Sequence, residues 1–494
     1  MAQEQAVIFI IFGGSGDLAH RKLYPALFKL YTKGYLRQHF AVIGTARRPW
    51  SHEYFRQTVS ESVANDLGDQ AQVASFVQHF YYQSHDVKDA NHYVALKKLA
   101  QQLNQQYQAQ NNQIFYMAIA PQFFGTVAQH VNSEGLLNPD GFNRLVIEKP
   151  FGKDLTTARA LNDSISATFK EEQIYRIDHY LGKEMIQALP ILRFTNPVLE
   201  AVWNCHYISN IQITLAEALG VGERAGYYES AGALRDMIQN HALQILALLA
   251  MERPTEFTSQ AVHQQKEQLF AQLHHYTLSE VDHNFVRGQY DVDRRGYQTA
   301  YREADNVPDD SLTETFVAGR IFVDTPRWHN VPFYVRTGKR LRQKATRIDI
   351  VFQPETNNIF ANYHKQKILP RPTVLTIAIE PRQGLCLTVN GTNPGLGLRN
   401  SLQPLSFRQS DGSLANSQEA YEKLLIDILQ GDQTNFTNWI EQAYTWQFID
   451  IIRQRWDQIT PDFPNYRSNT FGPSKSDQLL AQLGHEWIFG TDSF

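Results

Sequence analysis

Ala6-Val7-Ile8-Phe9-Ile10-Ile11-Phe12-Gly13-Gly14-Ser15-Gly16-Asp17-Leu18-Ala19 is an unbroken apolar run followed at once by a glycine turn. Such a run suits a parallel strand buried on both faces and is too short to span a bilayer. Gly14, Gly16 and Ala19 fit G-x-G-x-x-[GA]. The stretch from Lys22 to Lys33 then carries a helical pattern, closed by Gly34 at the expected C-cap. Strand, glycine turn and helix in that order predict a Rossmann-like dinucleotide fold. Its small residues let the backbone approach a pyrophosphate at a helix N-terminus. Gly13, Gly14, Ser15, Gly16, Asp17 and Leu18 are therefore the candidate cofactor turn. A triphosphate-binding loop is disfavoured, because no Gly-Lys-[Ser/Thr] closes it.

Moving outward, the second strand is Phe40 to Gly44. An NAD site would often place an acid just beyond it, for the ribose 2′-hydroxyl. The chain reads Thr45-Ala46-Arg47-Arg48 instead. Guanidinium groups at Arg47 and Arg48 suit the 2′-phosphate of NADP, although two exposed loop arginines would look the same. Helical patterns over Ser51 to Asn65 and Asn91 to Tyr107 alternate with buried strands at Ile114 to Ile119 and Arg144 to Glu148. Lys149 follows the last strand and is expected to face cofactor or substrate. Pro150 forces a turn there and permits a cis bond.

After about residue 180 the strands alternate, as in Ile211-Gln212-Ile213-Thr214-Leu215 and Thr373-Val374-Leu375-Thr376-Ile377. That pattern predicts a mainly antiparallel sheet with one covered face. Helical patterns at Ala231 to Met251, Glu419 to Gln430 and Asn438 to Arg455 complete the expectation. Residues 1–180 are expected to form an α/β dinucleotide-binding domain, and 181–494 a larger α+β domain for substrate binding and dimerisation. The 353–372 and 408–417 stretches read as long loops. The length of 494 residues allows about two to three domains, and a net charge of −4 without a long basic run speaks against nucleic acid as a partner. Cys205 and Cys386 supply neither a disulfide framework nor metal spacing, and their neighbours predict simple packing. No cleavable leader pattern stands at the N-terminus, so a cytoplasmic setting without membrane contact is expected.

The chemistry-bearing stretch is Arg176-Ile177-Asp178-His179-Tyr180-Leu181-Gly182-Lys183-Glu184. His179 and Lys183 are four apart, which on a helical turn converges them on one anion. Asp178 is placed to orient a second histidine. In the later half, Asp236 to His241 is a polar start to an apolar helix, and Glu217 ends an alternating strand. Lys339 and Lys344 flank Arg340 and Arg342, a cluster that either holds a dianion or is a solvated basic loop.

These pieces together resemble the glucose-6-phosphate dehydrogenase family, most closely its bacterial, lactic-acid-type branch. Further matching pieces are Arg21-Lys22-Leu23-Tyr24-Pro25, Glu148 to Gly152, Arg224 to Tyr228 and Pro332 to Lys339. The resemblance implies oxidation of glucose 6-phosphate to 6-phosphoglucono-δ-lactone with reduction of NADP, the entry to the oxidative pentose phosphate pathway. It implies His241 as general base with Asp178 steadying the imidazolium. His179, Tyr180, Lys183 and Lys344 would hold the phosphate, and Glu217, Asp236 and Lys339 the sugar hydroxyls. Lys22 and Lys149 would lie between cofactor and substrate. A homodimer is implied, and no metal. Some members of this branch also use NAD, and Arg48 beside Arg47 argues against equal use here. Rival readings keep the fold with another sugar phosphate or a free hexose, or make the chain a non-catalytic NADP sensor.

Overall fold

A computed structural model of the chain describes residues 3–64, 69–357, 359, 370–392, 400–408 and 419–490. The loops expected at 353–372 and 408–417 lie largely outside the described residues. The chain divides into two units. The first comprises Met1–Gly182, Glu256–His263 and Gln418–Ala443, and the second Lys183–Thr255, Gln264–Ser417 and Tyr444–Phe494.

The first unit is built on six parallel strands: β1 (Val7–Phe12), β2 (Phe40–Ala46), β3 (Phe80–Ser84), β4 (Gln113–Met117), β5 (Asn143–Ile147) and β6 (Ile174–Arg176). Their order is β3-β2-β1-β4-β5-β6, with the direction of winding reversed between β1 and β4. Ligands of such sheets bind beyond the carboxyl ends at that reversal. β1 is buried on both faces, as its sequence demands: Val7, Phe9 and Ile11 enter one core and Ile8, Ile10 and Phe12 the other. The following helix Tyr24–Thr32 ends at Gly34, whose φ is 84°.

The helix Ala420–Gln430, expected in the second domain, belongs to the first unit. Its Leu424, Leu425, Ile428 and Leu429 join the core beneath Val7, Phe9 and Ile11. Lys29 pairs with Glu419 at 3.0 Å, and Lys33 pairs with Glu422. Arg144 Nη1 donates to the carbonyls of Ile428 (2.6 Å) and Leu429 (2.9 Å), closing the helix end. A parallel sheet needs helices on both faces, and an amphipathic pattern does not say which sheet it will cover.

The second unit holds an eight-stranded sheet: β7 (Ile208–Ala216), β8 (Phe285–Gly288), β10 (Phe316–Ile321), β11 (Phe333–Gly338), β12 (Ala345–Phe352), β13 (Val374–Glu380), β14 (Gly384–Thr392) and β15 (Asn400–Arg408). The short β9 (Tyr290–Asp291) pairs instead with β16 (Tyr466–Arg467). The order is β15-β14-β13-β12-β7-β11-β10-β8. All neighbours are antiparallel except β7 and β11.

Alternation along β7 predicted a solvated face, yet Gln212 and Thr214 are each 1% exposed. The C-terminal segment covers them. Gln212 donates to the Glu486 carbonyl (2.8 Å) and accepts from the Ile488 N–H (2.9 Å). Arg336 donates to Thr214 Oγ1 (3.2 Å) and to the Phe489 carbonyl, with Trp487 stacked 4.1 Å from its guanidinium. Polar side chains here serve a buried hydrogen-bonded layer, which burial requires of them. Cys205 and Cys386 are free and partly exposed, not packed away as expected. No described helix is long and apolar enough to cross a membrane.

One buried titratable group in the first unit links stability to pH. His85 is 1% exposed and packs against Phe12 and Tyr93. Burial, aided by the neighbouring His92, pushes its imidazole down to about 4 from an ordinary 6.5. Below pH 6.5 the unfolded chain gains a proton that the folded chain refuses. Stability is therefore full above that pH and falls as pH drops toward 4. Between pH 7.5 and 5.0 the loss assigned to this residue should be on the order of 2 kcal/mol. His85→Phe should flatten that part of the dependence. Urea midpoints of both proteins at the two pH values test this, and identical pH slopes would count against it.

Candidate active site

The glycine turn is shaped by what surrounds it. Gly13 has φ 93°, and a Cβ there would collide with the Ala118 carbonyl oxygen. A Cβ on Gly14 would stand 2.7 Å from Gly44 Cα, so the turn presses on β2. Beside Gly16 only the Gly13 carbonyl lies within 4 Å, at 3.0 Å, which leaves that side open to a ligand. Ala19 is fully buried against the sheet. The buried Tyr24 hydroxyl donates to the Gly14 carbonyl and ties the turn to the first helix. This is a cradle that side chains would fill, and it fits a dinucleotide pyrophosphate. Ser15, Asp17 and Leu18 complete the turn, and Lys22 lies exposed on the helical segment Ala19–Leu23.

Arg47 and Arg48 leave the end of β2 and are both exposed. Their backbone is fixed from β3: Tyr82 Oη lies 2.7 Å from the Arg48 carbonyl and 3.1 Å from that of Ala46. The Arg48 guanidinium lies 5.5 Å from the Trp50 ring. Lys149 follows β5, and its bond to Pro150 is cis. Glu148 beside it accepts from the Tyr116 hydroxyl at 2.6 Å. Burial raises the Glu148 carboxyl, against the pull of bonds from Tyr116 and Tyr421 and of the Lys149 charge.

The stretch after β6 is a turn, not the helix assumed for His179 and Lys183. Asp178, 3% exposed, organises it. Its Oδ1 accepts from the Tyr180 N–H (2.9 Å) and its carbonyl from the Leu181 N–H (3.0 Å). Arg176 anchors the strand before it through Glu171 (3.0 Å to Oε2) and Asn162 (2.7 Å). The helix Glu184–Phe194 begins only after Lys183. Asp178, His179 and Tyr180 thus sit just past the carboxyl edge of the parallel sheet.

In the second unit the parallel pair decides the geometry. β7 and β11 are in register to Ala216↔Gly338, so Glu217 and Lys339 leave at the same edge. Glu217 Oε2 and Lys339 Nζ are 2.5 Å apart. The Lys339 backbone is held on both sides, its N–H by the Thr315 carbonyl (2.9 Å) and its carbonyl by the Tyr466 hydroxyl (2.8 Å). Lys344 precedes β12, whose Ala345 faces Ala216. Glu380, opposite Thr346, ends β13 at the same edge. Lys183 Nζ (2.7 Å) and Lys344 Nζ (3.1 Å) both reach its carboxylate. Burial works to raise the Glu380 carboxyl, but the two ammonium groups prevail and hold it below its ordinary value.

The helix expected over Ala231 to Met251 is instead three segments: Ala225–Ala233, a π-helix Leu234–Ala242, and Leu243–Ala250. An α-helix would set Asp236 and His241 about 140° apart. The i→i+5 bonding of a π-helix turns each residue through less and returns them toward one side. His241 is fully buried and Asp236 7% exposed. The break before this segment falls at Gly232, with φ 67°, where a Cβ would collide with the Glu314 carboxylate. Glu314 Oε1 accepts from the Leu234 N–H (3.1 Å), and its Oε2 pairs with Arg453 (3.0 Å). A buried negative charge thus stands at the start of the segment, where helix amides favour it.

Three groups escaped the sequence reading: Glu380, Glu314 and Tyr228. Glu380 had a weak signal, an acid closing an alternating strand just before a proline. Glu314 had none. Tyr228 lay within a matching motif without a role.

Residues 10–188 match the family model "Glucose-6-phosphate dehydrogenase, NAD binding domain", and residues 190–488 match "Glucose-6-phosphate dehydrogenase, C-terminal domain". The chain is 48% identical over 489 residues to glucose-6-phosphate 1-dehydrogenase of Streptococcus pneumoniae, covering 98% of this chain and 97% of that one. It is 44% identical to the enzyme of Leuconostoc mesenteroides, over 99% of this chain and all of that one. A solved glucose-6-phosphate dehydrogenase in complex with its substrate glucose-6-phosphate superposes with a TM-score of 0.89 at 31% identity, over 99% of this chain and 100% of that one. With both domain models matched in order and relatives this similar along nearly the whole length, the chain belongs to the glucose-6-phosphate dehydrogenase family.

Proposed function

We propose that this chain oxidises carbon 1 of D-glucose 6-phosphate to 6-phospho-D-glucono-1,5-lactone, with NADP as hydride acceptor, at the entry to the oxidative pentose phosphate pathway. The observation that carries the reading is the sheet edge where Lys183, Lys344 and Glu380 stand beside Glu217 and Lys339. Ammonium groups and carboxylates in that number suit a phosphorylated, hydroxyl-rich substrate.

His241 is the base that takes the proton of the carbon-1 hydroxyl. That hydroxyl is a poor acid, and hydride cannot leave until the proton is drawn off. Imidazole suits proton transfer near neutral pH. Asp178 steadies the imidazolium that results. His179, Tyr180, Lys183 and Lys344 hold the phosphate, whose remote binding energy orients the reacting carbon. Glu217, Asp236 and Lys339 bind the ring hydroxyls, and Lys22 and Lys149 lie between cofactor and substrate. The dinucleotide, when bound, supplies the electrophilic carbon that accepts the hydride. Residues Gly13 to Leu18 cradle its pyrophosphate, and Arg47 with Arg48 favours NADP over NAD. Residues 1–180 carry the cofactor, and 181–494 supply the substrate residues other than Asp178, His179, Tyr180, Lys22 and Lys149. The setting is cytoplasmic, where two free cysteines stay reduced.

We also infer a homodimer through the sheet of the second unit. Leu405 and Phe407 on β15 are 61% and 66% exposed, a pair of apolar side chains that a second copy would cover.

Three measurements test these readings. His241→Asn should cut turnover roughly 10²–10⁴-fold while KM for glucose 6-phosphate stays within about 3-fold. Wild-type turnover in that variant would remove it as the base. Replacing Arg47 and Arg48 together by Ala should raise KM for NADP by about 100-fold, as expected for losing charged hydrogen bonds, and barely change KM for NAD. Equal losses for both cofactors would refute the 2′-phosphate assignment. Sedimentation equilibrium should return twice the chain mass of 56.7 kDa, shifting to one mass when Leu405 and Phe407 are both changed to Lys. A wild-type protein that stays monomeric at micromolar concentration would rule the dimer out.

A further inference from the structure

Tyr228 lies within the helix Ala225–Ala233, just before its break, and is 3% exposed. The Lys339 ammonium stands 5.3 Å from its ring centroid, inside the ~6 Å reach of a cation–π contact. The same ammonium meets Glu217 at 2.5 Å. The Tyr228 ring is itself backed by Tyr301, edge-on at 6.4 Å. Tyr301 in turn is fixed by its hydroxyl, which donates to Glu229 at 2.7 Å, a carboxylate that also accepts from Ser311 at 2.8 Å. Burial, with the charges of Asp236 and Glu217 nearby, holds the Tyr228 phenol far above its ordinary value. The ring therefore stays neutral and offers a face, not a second anion.

We propose that Tyr228 is a positioning residue of the sugar site: its ring face, acting with Glu217, fixes the Lys339 ammonium where the sugar hydroxyls meet it. The inference rests on the reading of Glu217, Asp236 and Lys339 as the hydroxyl-binding set. A lysine stem has four flexible carbons and a head with three donors. A single carboxylate partner lets that head swing around it. A π face on another side removes that freedom without consuming an N–H, because the attraction is to the charge and not along a bond. Donors remain for the substrate, and the ordering is complete before the sugar arrives, which is what preorganisation means for affinity.

The test compares substitutions at position 228 with substitutions of the residues it serves. Tyr228→Leu should raise KM for glucose 6-phosphate about 10-fold, with kcat within about 3-fold, as expected for a lost partly buried cation–π contact. It should also narrow the preference for glucose 6-phosphate over 2-deoxyglucose 6-phosphate, which lacks one hydroxyl. Tyr228→Phe keeps the face and should restore both. A series of fluorinated phenylalanines at 228, which drains charge from the face at nearly constant shape, should raise KM stepwise; it covers the case in which the Leu variant does not fold. A flat fluorination series overturns the inference, as does a Phe variant as impaired as Leu, or a Leu variant that loses thermal stability with unchanged KM. Lys339→Met and Glu217→Gln are measured alongside. If they leave KM unchanged, the sugar-site reading itself fails. If they raise it while the 228 series does nothing, only the role of Tyr228 falls.

Discussion

β7 and β11 run side by side in the same direction inside a sheet whose other neighbours are antiparallel. A hairpin cannot join two such strands; the chain must leave the sheet and return by a crossover. Here the crossover between Ala216 and Phe333 contains the broken helix, the π-segment and β8 to β10. The parallel direction also fixes where the strands end. Glu217 and Lys339 emerge at one edge because each follows the last paired residue of its strand. Were β11 reversed, Lys339 would open at the far end of the sheet, away from Glu217, Lys344 and Glu380. The π-segment packs across β7, β10 and β11, so the same pairing positions Asp236 and His241.

The charges at this edge are arranged as partners in advance. Lys339 is shared between a carboxylate and an aromatic face, and Glu380 is shared between two ammonium groups. Unpaired, such half-buried charges would pay in desolvation for every step away from water. Paired, they keep their directions, and under the proposed function a phosphorylated sugar would exchange one set of charged hydrogen bonds for another. Polar groups held in place before binding are what site geometry needs.

Much of this was legible in the chain, because some motifs carry their own physics. Seven apolar residues running into Gly13 and Gly14 admit few structures other than a buried parallel strand and a tight turn, and β1 with its cradle is what formed. Arg47 and Arg48 could be placed at the end of β2 because strand and turn were both readable. Other features depend on partners distant in sequence. The pattern of residues 420–430 announces a helix but not its sheet; only the meeting of Leu424, Ile428 and Leu429 with Val7 and Phe9 decides that it covers the first unit. Gln212 and Thr214 have the polarity of a wet face and are dry, since their cover comes from residues near 487. The π-helix left no periodic trace, because its extra residue per turn is imposed by the break at Gly232 and the buried Glu314, features that local propensity does not encode.

The dry polar layer over β7 has a bearing on how the chain is made. β7 is complete at Ala216, but the segment that satisfies Gln212 and Arg336 ends at Phe489, about 270 residues later. At typical synthesis rates this is an interval of roughly 15 to 55 s. Until then Gln212 lacks its backbone partners at Glu486 and Ile488, and Arg336, made about 150 residues before Phe489, lacks its carbonyl acceptor. The polar layer over β7 therefore closes only once residues 486–489 have been made, however early the strand itself is synthesised.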